Sequence, residues 1–201
     1  MIRLVKFRIF SICWALCLVP SPFALHAQVI VDSQAKASVC KFAEEFYAWY
    51  VPIARADSPD PAWELALKSK KDVFDRPLAQ AIKEDLDAQA KFPGEIVGID
   101  FDPFLYTQDP AKRYTIGKVS QKGERYLVEI HGNRNGKKID GNALTAEIAK
   151  KGGRWVFTNF YYSKGKDLLS ILRSLKVDRQ KLGSSLNGVV RRSGPPPIST
   201  P

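Results

Sequence analysis

Apolar residues return every third or fourth position through the first half of this chain and every second position through the second half, so it divides into a helical part and a strand part. Val39, Phe42, Ala43, Phe46, Tyr47 and Tyr50 share one helical face. They predict a first helix from about Ser33 to Val51, ended by Pro52 and by the turn-rich run Asp57-Ser58-Pro59-Asp60-Pro61. Trp63, Leu65, Ala66 and Leu67 predict a short second helix. Asp75 is an N-cap for a third, with Pro77 in its first turn, reaching about Lys91 on an apolar stripe of Leu78, Ala81, Ile82 and Leu86.

Counting about 100° per residue places Asp85 and Gln89 within that inward stripe. A carboxylate on an apolar face needs a partner. Two readings stay open: a tyrosine, tryptophan or arginine satisfies Asp85 as a structural bond, or Asp85 and Gln89 line a polar pocket.

The alternating part predicts four strands, Arg113 to Ser120, Glu124 to His131, Ala143 to Lys150 and Arg154 to Tyr162, joined by glycine-bearing turns as antiparallel hairpins. The last is apolar at both parities, which predicts a central, covered strand. Leu168, Leu169, Ile171, Leu172 and Leu175 then form the stripe of a closing helix. Helices first and a meander afterwards give an α+β fold, with N-terminal helices packed on a curved four-stranded antiparallel sheet and a closing C-terminal helix in a single domain.

Between the two parts runs Ile99-Asp100-Phe101-Asp102-Pro103-Phe104-Leu105-Tyr106-Thr107-Gln108-Asp109-Pro110. Each Asp-Pro step favours a turn, because proline pushes its predecessor out of the helical region and the aspartate bonds nearby amides. Phe101, Phe104 and Leu105 are too apolar for a solvated loop. The segment is expected to clamp helices to sheet, with Asp100 and Asp102 at the surface or a cleft.

Arg3, Lys6 and Arg8, the apolar run Ile9 to Val19, and Ala24-Leu25-His26-Ala27 have the form of a secretory signal peptide cleaved after Ala27. The expected organisation is therefore signal peptide 1–27, domain 28–175 and a basic Gly/Ser/Pro-rich disordered tail 176–201. The full chain carries a formal charge of +10; removing the leader takes three basic and no acidic residues, leaving 28 against 21. Much of the remainder is the tail, where Lys176, Arg179, Lys181, Arg191 and Arg192 face only Asp178. That charge reads as an extension rather than a nucleic-acid surface, and membrane contact is expected only through the leader or the tail.

Catalytic motifs are sparse. Cys40 is the sole cysteine and His131 the sole histidine after residue 27, and there is no G-x-S-x-G elbow, H-E-x-x-H helix, phosphate loop or dinucleotide fingerprint. No cofactor, metal or catalytic residue is assigned. The residues marked for ligand contact are Asp85, Gln89, Asp100, Asp102 and Asn159.

The order Cys40-x-Phe42, Phe46-Tyr47, Trp49-Tyr50, the helix ending near Asp85, the Asp100-Phe101-Asp102-Pro103-Phe104 loop with Gln108-Asp109-Pro110, and Trp155-x-Phe157-x-Asn159-Phe160-x-Tyr162 resembles the bacterial exported family of domain of unknown function 3828. The resemblance covers about residues 36 to 175. It implies a nuclear transport factor 2-like, or cystatin-like, cone and a periplasmic or envelope setting, with no catalytic assignment. The resulting expectation is a periplasmic or secreted binding module, such as an immunity or inhibitor protein, acting on an envelope protein or small ligand. A small-ligand carrier or enzyme with an interior pocket, and a structural envelope component, are the alternatives.

Overall fold

The computed structural model describes residues 22–92, 97–134, 136–139 and 144–192, with side chains between residues 32 and 181 except Lys164. Four α-helices and an antiparallel sheet make an α+β domain. The helices are α1 (Pro22–Ala54), α2 (Ala62–Ser69), α3 (Arg76–Gln89) and α4 (Leu168–Arg192). The strands are β1 (Arg113–Lys122), β2 (Arg125–Arg134), the two-residue β3 (Lys137–Lys138), β4 (Leu144–Lys151) and β5 (Arg154–Tyr162). Residues 35–201 form one compact unit that holds the whole sheet; residues 1–34 form another, whose described part is the start of α1.

The sheet order is β1-β2-β4-β5, with β3 pairing β2 beside that path. Bulges interrupt the register between Ile116 and Val119 and between Glu147 and Ile148. Each adds a residue to one strand and bends it.

The core lies between α1 and the sheet. Phe46 of α1 stacks on Tyr50 at 5.3 Å and meets Phe157 of β5 at 4.8 Å, while Phe104 from the acidic loop meets Tyr50 at 5.3 Å and Phe160 at 5.0 Å. Tyr50, Phe104, Phe157 and Phe160 are fully buried. Edge and offset contacts at these spacings add to the gain from area burial.

Four expectations change. Pro52 does not end the first helix: it sits inside α1, which continues to Ala54 and begins at Pro22 rather than near Ser33. In the last turn a missing N–H removes one bond, to the carbonyl four residues earlier, and the helix tolerates it. The last strand is terminal, not central. Glu147 pairs with Asn159 and Ile148 with Phe157, so Thr158 is the extra residue that resets the alternation. Phe157 and Phe160 thereby reach the same core despite opposite parity, 5.2 Å apart. The open side of β5 is covered by Phe74, bridged to Phe157, and by the Asp75 amide, which donates to the Phe157 carbonyl at 2.8 Å.

The fourth change concerns the tail. Residues from 176 were expected to be disordered, yet α4 runs unbroken to Arg192. Lys176 and Arg179 hold its middle turns to carboxylates on α3. Residues 193–201 lie outside the described residues, as do residues 1–21 of the expected leader. No described helix is long and apolar enough to cross a membrane.

Candidate functional site

Asp102 is the centre of the acidic loop. Its Oδ1 accepts the Phe104 and Leu105 amides at 2.8 and 3.1 Å, and its Oδ2 accepts the Tyr50 hydroxyl at 2.7 Å. Its carbonyl accepts the Tyr106 amide at 2.8 Å, and Tyr106 closes the turn with φ of 52°. A non-glycine residue there costs about 1–2 kcal/mol. Stacking on Tyr162 at 4.5 Å and edge contact with Phe101 at 5.6 Å hold Tyr106 in place.

Two more tyrosines grip the same turn. Tyr47 of α1 donates to the Phe104 carbonyl at 3.0 Å and Tyr162 of β5 to the Pro103 carbonyl at 2.9 Å. The loop is thus bolted to helix and sheet together. Burial pushes the Asp102 carboxyl up to about 6, against the opposing pull of Tyr50 and the two amides. Burial, and then the Asp102 charge, raise the hydroxyls of Tyr47, Tyr50 and Tyr162 well above their ordinary range.

Asp85, also buried, forms a separate lock. Its Oδ2 accepts Gln89 Nε2 and the Ile99 amide, each at 2.9 Å, and its Oδ1 faces Arg179 Nη1 at 2.6 Å. That nitrogen also donates to the Val97 carbonyl at 2.8 Å. Of the two readings left open by sequence, the arginine bond is the one present. Asn159 belongs to a third network. Its Oδ1 accepts the amides of Phe160 and Leu169 at 2.9 and 3.3 Å, and its Nδ2 donates to Asp167 Oδ1 at 2.9 Å. Asp167 accepts the Ser170 amide and hydroxyl at the start of α4. Although burial opposes it, donation from Ser170 and Asn159 keeps the Asp167 carboxyl below its usual range.

Asp100 is exposed, and Gln108 donates to its carbonyl at 2.8 Å. The marked residues therefore fall into three places: Asp85 with Gln89, Asn159 at the α4 start, and Asp100 with Asp102. Only the last two line a surface groove together, one of about 270 Å³ beside Trp63 and Gln108. Among the described residues no group of three His, Cys, Asp or Glu side chains can hold a metal ion.

His131 lies within β2 rather than at its end. Its Nε2 is 3.3 Å from Glu129 and 3.2 Å from Lys138 Nζ, and its ring covers Gly117. Glu147, unmarked by sequence, is buried and saturated by Arg125 at 2.8 Å, Thr158 at 2.7 Å and Tyr161 at 2.9 Å. Its signal was the β5 bulge residue Thr158, which alternation alone does not reveal.

A larger groove, about 610 Å³, runs between α1 and β1. Tyr47, Val51 and Ile116 give it an apolar floor, and Arg55, Lys112 and Arg113 stand at its rim with Glu44. None of those three cations forms an ion pair with a described residue, whereas Arg134 pairs with Asp109 at 2.6 Å. Sequence reading missed this groove because its cations come from the end of a helix and the start of a distant strand.

These features define a single α+β domain whose marked carboxylates are mostly consumed in structural bonds and whose α1–β1 groove carries three cations that pair with no described residue. No family model matches the chain, and no curated protein sequence does. A crystal structure of a protein of unknown function from Bacteroides thetaiotaomicron is similar, with a TM-score of 0.49 and 15% identity, covering 68% of this chain and 98% of that one.

Proposed function

We propose that this protein is an exported binding module of the cell envelope that meets a partner protein through the α1–β1 groove. The supporting observation is the pairing of an apolar floor with Arg55, Lys112 and Arg113, charges that satisfy no carboxylate of the described chain. An exposed apolar patch rimmed by polar residues marks an interaction surface. Export rests on the leader pattern of residues 1–27, and membership of the domain of unknown function 3828 family on the motif residues that build the clamp. An inhibitor or immunity role fits such a module.

A photoreactive amino acid at Ala48, in the groove, and another at Arg173, exposed on α4, test the reading in living cells. A discrete adduct from position 48 and none from 173 is expected. No adduct at 48, or the same adducts at both, would remove the groove from the protein's function.

A further inference from the structure

We infer that the α1–β1 groove receives an extended acidic peptide segment of the partner, which adds to β1 as a new edge strand; this rests on the groove being the binding surface. β1 is the end of the sheet, and among the described residues it pairs with β2 alone. The Gly132 carbonyl accepts the Ile139 amide at 2.8 Å, so the backbone groups of Gly132 point away from β1. Its opposite residue Tyr114, and by alternation Ile116, therefore turn their N–H and C=O groups outward into the groove. No described backbone group pairs with them.

The helix side offers a further acceptor. Pro52 cannot donate to the Ala48 carbonyl, and both residues line the groove. A strand laid about 4.8 Å from β1 thus meets unpaired backbone on one side and α1 on the other.

The side chains decide the peptide's chemistry. Arg113 and Thr115 are exposed, whereas Tyr114 and Ile116 turn towards the core, with Tyr114 stacked on Tyr47 at 6.1 Å. An added strand alternates in the same way, so acidic residues face Arg113 while apolar ones cover Ile116 and Val51. Lys112 and Arg55 extend the rim to its ends, so that three cations there outweigh the carboxylate of Glu44. A second copy of this chain is the poorer occupant, because antiparallel self-pairing of β1 about Thr115 sets Lys112 against Lys118 and gives Arg113 no carboxylate. Charges and a bulge on an edge strand discourage such self-association, and the same charges favour an acidic strand.

The test uses the full-length chain and an end-blocked peptide of about six residues alternating glutamate and valine. Fluorescence anisotropy should show saturable binding that weakens with salt. The lysine–valine counterpart should not bind, and a glutamate–valine peptide N-methylated at alternate residues should bind about tenfold more weakly. Lys112→Gln with Arg113→Gln should have a similar effect, while Lys83→Gln on α3 leaves binding unchanged. Equal binding of the two peptides, indifference to N-methylation, or no binding overturns strand addition. If any of these occurs while crosslinking at position 48 persists, the groove remains the partner surface and only its peptide chemistry is wrong. Loss of the crosslink defeats both.

Discussion

Arg179 reaches from the fourth turn of α4 to place its Nη1 2.6 Å from Asp85 Oδ1, closing a buried carboxylate with a residue 94 positions later in the chain. The Arg179 side chain is 13% exposed and that of Asp85 2%, so the pair is shielded from solvent. Nearby Lys176 and Glu84 are 2.8 Å apart but 55% and 42% exposed, and such a pair is worth little.

Arg179→Gln should therefore destabilise the domain by about 3 kcal/mol, because it strands a buried charge. Adding Asp85→Asn should restore part of the loss. Ending the chain at Val177 should resemble the single substitution. Urea denaturation checks all three, and an unchanged midpoint on truncation would mean that α4 beyond Val177 contributes nothing to folding.

Asp102 gives a pH dependence of unusual sign. Burial raises its carboxyl from 3.8 in the free group to about 6 in the fold. Its contribution to stability is thus complete below the lower value and is lost as pH rises through the upper one. Asp102→Asn should gain on the parent chain between pH 4 and 7 by about 3 kcal/mol at most, scaled from about two pKa units. Asp102→Ala leaves two amides and the Tyr50 hydroxyl without their acceptor and should cost several kcal/mol, at about 1–3 each. Thermal melts across that range would contradict this account if the Asn variant tracked the parent.

The Tyr50 hydroxyl donates to Asp102 and pulls its carboxyl down. Tyr50→Phe should push the titration midpoint above about 6. Carbon NMR of the side-chain carboxyl reads this directly, and a downward movement would show that the hydroxyl does not favour the ionised form.

Gly98 lies close against the Gln89 side chain, and a Cβ there would overlap the Gln89 amide and its Cγ. Gly98→Ala should expel the Gln89 amide from Asp85 and cost about 1–3 kcal/mol, as overpacking does. Gln89→Ala in the same background should recover much of that loss; failure to do so in a double-mutant cycle would place the strain elsewhere.

By itself the sequence determined the α+β class, the four long strands to within three residues at either end, the Asp75 cap and the inward position of Asp85, because these depend on side-chain period and turn chemistry over a few neighbouring residues. It also marked the acidic loop as anchored, since Phe104 and Leu105 are too apolar for water. Only the tertiary structure decided what those groups meet. Local alternation cannot reveal that Thr158 is a bulge, so two apolar parities looked like two buried faces instead of one shifted face at a sheet edge. Composition made the tail read as solvated, whereas Arg179 finds in Asp85 a buried partner that no local window contains. The α1–β1 groove was equally invisible, because free charge and unpaired backbone become a surface only when a helix end and an edge strand are brought side by side.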